Sequence, residues 1–314
     1  MLSIIIPCFN EQETIYLFYD KVKLISKQIA MEIEFVFVND GSTDATLEKL
    51  RELSLKDSAV HYLSFSRNFG KEAALYAGLK SARGDFVTVM DADLQDPPEL
   101  LPEMLSKLLS GDMDCIGTRR GNRAGEPRVR SFFARQFYRV INRISDTEMI
   151  DGARDFRLMT RQMVDAVLSL AEYNRFSKGL FSWVGFKTEY ITYENRERVA
   201  GTTSWSFWQL FNYSIDGIVN FSDVPLNIAS FVGALSCFGA LISLIFVVVR
   251  AVFWGDPTTG WPSLVSVILL LGGIQLLSLG IIGKYIGKIF LETKHRPIFL
   301  VKETDQNSRK DTNS

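Results

Sequence analysis

The sequence predicts an α/β domain on a mostly parallel sheet, followed by an interfacial helix and a two-helix membrane anchor. Three observations carry the prediction. Short apolar runs alternate with helical patterns from Leu2 to Met90, polar side chains gather just past the end of each run, and two long uncharged stretches fill the C-terminal third. Alternation of this kind implies parallel strands covered by helices on both faces.

Leu2 to Pro7 (LSIIIP) reads as a buried strand, Glu11 to Ala30 as a helix, and Ile33 to Val38 (IEFVFV) as a second strand. The turn Asn39 to Asp44 (NDGSTD) offers Ser42 or Thr43 as cap of the next helix, because a short hydroxyl side chain accepts from the orphan amides of a first turn. A third strand is expected over Val60 to Phe65, a helix over Gly70 to Ala82, and a fourth strand over Asp85 to Met90. Sheets of this type bind ligands at the carboxyl ends of their strands. Those ends carry Asn10 and Glu11, Asp40, Arg67 and Asn68, then Asp91 and Asp93, so four strands deliver polar groups to one edge.

The fourth strand end is the most acidic, in the stretch VTVMDADLQDPPE from Val87 to Glu99. Like charges this close raise each other's pKa unless a positive charge lies between them, and oxygen donors suit a hard divalent cation. Asp91 and Asp93 share a face if the strand runs on. A solvated acidic turn closed by Pro97 and Pro98 is the structural alternative.

The 314 residues, 47% of them hydrophobic, suffice for one sizeable core and a further unit. The net charge of -1 names no partner. Cys8, Cys115 and Cys237 form no C-x-x-C pair, which points to reduced thiols in a cytoplasmic compartment. His61 and His295 stand alone in the sequence, against a zinc site or a His-based triad. The chain enters a strand at once, so no signal peptide is expected.

Ile228 to Val249 and Leu264 to Gly283 are uncharged throughout, and each is long enough to cross a bilayer as a helix. Two buried helices of a large soluble core are the alternative. Trp254 and Trp261 would anchor the connection at an interface. That connection carries Arg250 and Asp256, whereas Lys284, Lys288, Lys294, Arg296 and Lys302 flank the second run; the positive-inside rule then puts the tail, and the N-terminal domain with it, on the cytoplasmic face of the plasma membrane.

From Arg128 to Ile144 the spacing sets Arg128, Arg135, Arg139 and Arg143 on one helical face and Phe133, Phe137, Ile141 and Ile144 on another. Such a helix either lies in the interface or packs on the sheet. Ser204 to Phe221, rich in aromatics, reads as a helix in the headgroup region. Thr304 to Ser314 is polar throughout and expected to be disordered. The organisation is therefore a catalytic domain over 1–203, a juxtamembrane helix over 204–225, two membrane helices over 226–291 and a partly disordered tail over 292–314.

A carboxylate-held cation without a Ser-His or Cys-His nucleophile suggests transfer from a diphosphate-bearing donor, the metal neutralising charge on the leaving group. Neither G-x-x-x-x-G-K-[ST] nor G-x-G-x-x-G occurs, which disfavours P-loop and dinucleotide chemistry. A nucleotide-sugar used beside a membrane fits what is left.

Six ordered motifs then carry a resemblance: PCFNE at Pro7 to Glu11, NDGSTD at Asn39 to Asp44, RNFGKEAAL at Arg67 to Leu75, MDADLQDP at Met90 to Pro97, DFRLMTR at Asp155 to Arg161, and NRFSKGLFSWVG at Asn174 to Gly185. Together with ETKHRP at Glu292 to Pro297 they make the chain similar to glycosyltransferase family 2, and within it to the polyprenyl-phosphate glycosyltransferases of the bactoprenol glucosyltransferase type, relatives of dolichyl-phosphate mannose synthase. The resemblance implies a GT-A-like (Rossmann-like) fold and inverting transfer of a hexose, glucose favoured over N-acetylglucosamine, from a UDP-sugar to undecaprenyl phosphate. It implies Mg²⁺ or Mn²⁺ as cofactor, and the lipid bilayer, a homotetramer, a downstream flippase and a second glycosyltransferase as partners. Nucleic acid is not expected.

By the same resemblance Pro7, Phe9, Glu11 and Asp40 belong to a nucleobase pocket, and Lys71 to a loop near the diphosphate. Asp91, Asp93 and Gln95 belong to the metal site, with Asp91 and Ala92 also against the donor. Asp155 is the base or acceptor-positioning group. Arg119 and Arg120, and the loop Arg196 to Ser204 with Arg198 and Ser204, handle the acceptor phosphate and close over the donor. One departure stands out: Arg154 replaces the usual Gly before that Asp, and its guanidinium is expected to draw Asp155 into a salt bridge. A processive polysaccharide synthase and a non-catalytic nucleotide-sugar sensor are the rival readings; two hydrophobic runs are few for the first, and the intact acid cluster argues against the second.

Overall fold

The computed structural model describes residues 1–121, 136, 138–145, 147, 149–170, 172–194, 215–254 and 260–306. An eight-stranded sheet is built from β1 (Leu2–Cys8), β2 (Ile33–Asn39), β3 (Val60–Phe65), β4 (Phe86–Val89), β5 (Cys115–Arg120), β6 (Ala153–Thr160), β7 (Thr188–Tyr193) and β8 (Val301–Thr304), in the order β7-β5-β6-β4-β1-β2-β3-β8. Strands β3, β2, β1 and β4 are mutually parallel, as is the pair β5 and β7. Strand β6 runs antiparallel between β4 and β5, and β8 runs antiparallel to β3.

The continuous apolar runs of β1 and β2 follow from burial on both faces. Leu2, Ile4 and Ile6 join Phe35, Phe37 and the inner sides of α1 (Ile15–Ser26), α2 (Thr46–Lys56) and α4 (Leu101–Leu109) in one core. Ile5, Val36 and Val38 face the other way, onto α3 (Lys71–Ser81) and α5 (Arg161–Ser169), in a core that also takes Phe181 of α6 (Ser177–Trp183). Helix α3 lies close to the sheet because small residues line it: a Cβ on Gly78 would meet Ile5 Cγ2 at 2.2 Å.

Several expectations are corrected. The first helix begins at Ile15 rather than Glu11, because Asn10 is left-handed at φ 56° and the Thr14 amide turns back onto the Glu11 carbonyl at 3.1 Å. Neither Ser42 nor Thr43 caps α2: the Asp44 carboxylate accepts from the Thr46 amide at 3.0 Å, while Ser42 Oγ accepts from the Asn10 amide at 2.9 Å and ties the first two loops together. The fourth strand stops at Val89, and Asp91 to Asp96 form a turn with Leu94 at φ 55°, so Asp91 and Asp93 are not aligned by a continuing strand. Structure also reaches the start of the segment expected to be disordered: Thr304 ends the edge strand Val301–Thr304, in which Glu303 receives both Arg51 Nε at 2.7 Å and Tyr62 Oη at 2.6 Å, and Asp305 is 4% exposed. His61 has a partner there too, Asp305, at 2.9 Å.

Helices α7 (Val224–Trp254) and α8 (Trp261–Thr293) contain membrane-length apolar segments, Val224–Ser243 and Val267–Thr293, of which 6% and 0% are buried. A soluble core helix hides its apolar surface; these expose Phe231, Leu235, Leu269 and Leu276, which fits a two-helix membrane anchor. Of the basic stretch from Arg128 to Ile144, residues 136 and 138–144 are described; Ile141 is fully buried beside Met149 and Phe176, with Phe221 packed against them. That supports packing on the protein, with Arg139 and Arg143 exposed. Arg128, Phe133, Arg135 and Phe137, the loop Arg196 to Ser204 with Arg198 and Ser204, and residues 205–214 and 307–314 lie outside the described residues.

Candidate active site

The antiparallel register of β6 assembles the site. Val89 faces Arg157 across the ladder, and just beyond that pair Asp91, in the turn after β4, and Asp155, on β6, meet one ammonium. Two carboxylates so placed repel. Lys71 resolves the conflict: its Nζ lies 2.8 Å from Asp91 Oδ1 and 2.7 Å from Asp155 Oδ2. It can reach both because it is the first residue of α3, launched from the left-handed Gly70 at φ 95°, a conformation that costs glycine little.

The electrostatics follow from that triad. Burial alone pushes the Asp155 carboxyl up, but the Lys71 ammonium, with lesser help from Lys178 and Arg157, holds it well below the usual carboxylate range. Burial likewise pulls Lys71 down, and the charges of Asp155 and Asp91 more than reverse this, so its ammonium is held strongly. Near neutral pH the cluster is therefore an anion, cation, anion bridge.

Arg154 does not draw Asp155 away. Adjacent residues of a strand point to opposite faces, and Arg154 Nε instead pairs with Asp96 Oδ1 at 3.0 Å, where Tyr193 Oη also donates to Asp96. Asp96 is 1% exposed, so this is a buried bracket under the acidic turn. Gln95 Oε1 lies 3.4 Å from Arg120 and 3.5 Å from Arg154. Arg120 thus faces the turn, while Arg119, next along β5, points to the other side and donates to Thr192 Oγ1 at 2.9 Å.

Asp40 is buried, and its two oxygens accept from the Phe69 amide at 2.6 Å and the Gly70 amide at 2.9 Å. Burial raises its pKa against those two amides. Its visible work is to pin the loop that launches Lys71. The same loop needs Gly41, at φ 65°, because a Cβ there would meet the Arg67 carbonyl carbon at 2.3 Å. Phe9, 43% exposed beside half-buried Pro7, presents an aromatic face at the sheet edge. Glu11 accepts from Thr14 Oγ1 at 2.7 Å and donates its amide to Thr46 Oγ1 at 2.9 Å. Ala92 is packed in the core at 2% exposure, so neither its methyl nor its backbone is open to solvent.

Asp93 is 4% exposed and accepts the Gln95 amide at 3.1 Å. Among the described residues no three His, Cys, Asp or Glu side chains converge as a ready metal cage. The donor chemistry still suits a hard cation: Asp91 and Asp93 offer carboxylate oxygens, and Asp91 already receives an ammonium within 2.9 Å on both of its own. Mg²⁺-type sites commonly use one or two carboxylates and complete their shell with substrate phosphates.

Sequence reasoning missed a second network. Glu72, next to Lys71, accepts from both the amide and hydroxyl of Ser177, at 2.9 Å for the amide, and Glu292 near the end of α8 accepts from the Tyr173 and Asn174 amides, both at 3.0 Å. The motifs NRFSKG and ETKHRP were visible, but nothing in their spacing said that one binds the other.

Comparison with known proteins gives a consistent result. The profile of glycosyl transferase family 2 matches residues 3–168. The putative glycosyltransferase CsbB of Bacillus subtilis is 45% identical over 97% of this chain and 92% of its own, and the bactoprenol glucosyl transferase of Shigella phage SfV is 41% identical over 97% and 99%. Among solved structures, mannosyl-3-phosphoglycerate synthase from Rubrobacter xylanophilus aligns with a TM-score of 0.48 at 17% identity, over 69% of this chain and 71% of that one. A family profile spanning more than half the chain, with relatives matched nearly end to end, shows that this protein belongs to glycosyl transferase family 2.

Proposed function

We propose that the chain transfers glucose from UDP-glucose to a polyprenyl phosphate at the cytoplasmic face of a membrane, with inversion at the anomeric carbon. The observation that carries this is the Asp91, Lys71, Asp155 bridge at the sheet edge of a chain with two exposed membrane-length helices. Relatives named bactoprenol glucosyl transferase match nearly the whole length at 40–41% identity, which supports both the sugar and the acceptor class.

The exposed Phe9 face suits stacking on a nucleobase. Asp91 and Asp93, with Gln95, would hold a divalent cation, Mg²⁺ or Mn²⁺. When bound, it neutralises charge on the departing diphosphate. Lys71 is placed to follow the diphosphate charge once a donor enters. Asp155, held anionic, is a weak base; a phosphomonoester with a second pKa of about 6 is already largely dianionic at neutral pH and needs none. Asp155 therefore orients the acceptor, and Arg120 and Lys178 offset repulsion between two phosphate-bearing substrates. Attack opposite the leaving nucleotide inverts the centre without a covalent enzyme intermediate.

Pairing of β8 with β3 ties the segment after α8 to the same sheet as the active site, which supports one membrane side for both. The basic residues within the last turns of α8 and just after it, Lys284, Lys288, Lys294, Arg296 and Lys302, favour the cytoplasmic side. A lipid-linked glucose made there would pass to a flippase and a second transferase. Membranes incubated with radiolabelled UDP-glucose, undecaprenyl phosphate and Mg²⁺ or Mn²⁺ should yield a lipid-soluble monosaccharide that chelator suppresses. A polymer, no product, or product with retained configuration would refute the reading, and competition by unlabelled UDP-N-acetylglucosamine tests the sugar.

A further inference from the structure

The segment 172–178 hangs between two anchors. At one end, Glu292 near the end of α8 accepts three N–H groups: the Tyr173 amide and the Asn174 amide at 3.0 Å, and Asn174 Nδ2 at 2.9 Å. Asn220 Nδ2 reinforces this by donating to the Asn174 carbonyl at 2.7 Å. At the other end, Ser177 is bound by Glu72, the neighbour of Lys71. Between them, Phe176 packs against Phe221 with ring centroids 6.0 Å apart, and a Cβ on Gly179 would strike the Phe221 ring at 2.4 Å.

Lys178 follows Ser177 directly. It is half-buried and makes no ion pair or side-chain hydrogen bond with another described residue. Its charge reaches Asp155, where it adds to the larger influence of Lys71. Lys178 thus carries its ammonium one residue beyond Ser177, which is held by Glu72 beside the Lys71 that bridges to Asp155, and an ammonium there, next to the membrane junction, is suited to a phosphate that arrives on a lipid.

We propose that Lys178 binds the phosphate of the lipid acceptor beside Asp155, and that Glu292 is the positioning residue that sets Lys178 there by clasping residues 173–174 to the second membrane helix. This rests on the acceptor being a lipid phosphate. The physical point is registration: the acceptor's height is set by the bilayer, and Glu292 ties the phosphate-binding segment to a helix that shares that frame. Misplacement by about 1 Å costs on the order of 100-fold in such reactions, so a direct tie to the membrane helix matters.

The test uses the full chain in membranes or nanodiscs, with Michaelis constants measured separately for UDP-glucose and undecaprenyl phosphate. Lys178→Ala and Glu292→Ala should each raise the acceptor KM or lower kcat/KM for it by roughly tenfold or more, as expected for losing charged hydrogen bonds, with the donor KM within about twofold of wild type. The double variant should be no worse than Lys178→Ala alone, because one residue acts through the other. Glu292→Gln, which keeps the shape and one acceptor oxygen, should fall between and decides the matter if Glu292→Ala fails to fold. Normal acceptor kinetics in both single variants, additive losses, or equal damage to both substrates would overturn the proposal. A wild-type chain inactive on undecaprenyl phosphate would overturn the proposed function and this inference together, whereas active wild type with unaffected variants overturns this inference alone.

Discussion

Replacing Lys71 with alanine removes the cation between two carboxylates while leaving the carboxylates in place. Truncating one partner of a buried charge pair costs about 3–5 kcal/mol. The side chains of Lys71, Asp91 and Asp155 are 35%, 25% and 18% exposed, so solvent screening reduces this, and a loss of about 2 kcal/mol near pH 7 is expected. In the wild type, Asp155 is depressed below its unfolded value. Its stabilisation is therefore complete above an unfolded pKa of about 3.9 and is lost only as pH falls through the lower folded value. In Lys71→Ala, burial pushes Asp155 up with far less to oppose it. A raised carboxyl destabilises above its folded pKa and is relieved by protonation, so the variant's deficit should shrink as pH falls from 7. A divalent cation should stabilise the variant by about 2.7 kcal/mol at a hundredfold excess over its Kd, and should stabilise the wild type less, since the Lys71 ammonium there competes for Asp91. Thermal denaturation of the detergent-solubilised protein, with and without Mg²⁺ or Mn²⁺, reads all three effects. Equal stability of the two proteins at pH 7, or a deficit that grows on acidification, would refute the bridge.

Asp91→Asn should lower transfer of labelled glucose by about 100-fold or more, as expected when a charge-stabilising contact is lost from a transition state, and should also weaken Mn²⁺ binding followed by electron paramagnetic resonance. Arg154→Ala leaves Asp96 buried with Tyr193 but without its cation, so stability should drop by about 3 kcal/mol; an unchanged melting temperature would show that the bracket is dispensable. Glu303→Ala removes the double contact to Arg51 and the Tyr62 hydrogen bond, and with Arg51 43% exposed a loss of about 1–2 kcal/mol is expected, visible as earlier proteolysis of the C-terminal segment. Gly41→Ala forces a Cβ against the Arg67 backbone and should destabilise by about 2 kcal/mol or more, measured by denaturant melts.

Much of the fold was legible because burial on both faces writes strands such as LSIIIP and IEFVFV as unbroken apolar runs, and helices between them show their own period. The four loop clusters were legible for the same reason: each polar group follows directly on a strand that pattern alone locates. The acidic pair Asp91 and Asp93 was visible too, but its geometry was left open between a continuing strand and a turn. Local spacing assumes a strand that continues, and this one ends at Val89 in a turn through the left-handed Leu94. Arg154 was misread for a related reason: adjacency in sequence suggested a pair with Asp155, while strand alternation sends the two side chains apart.

What the sequence determined by itself is the class of each segment, since apolar period and length depend only on neighbours along the chain. Which charges meet was decided by the tertiary structure. Asp91 and Asp155 come to one edge because β6 enters the sheet antiparallel beside β4, Lys71 reaches both because α3 starts at that edge, and Glu292 meets Asn174 across more than a hundred positions. Such contacts depend on register and layer packing, which no local period encodes, and they place the chemistry between a sheet edge and a membrane helix.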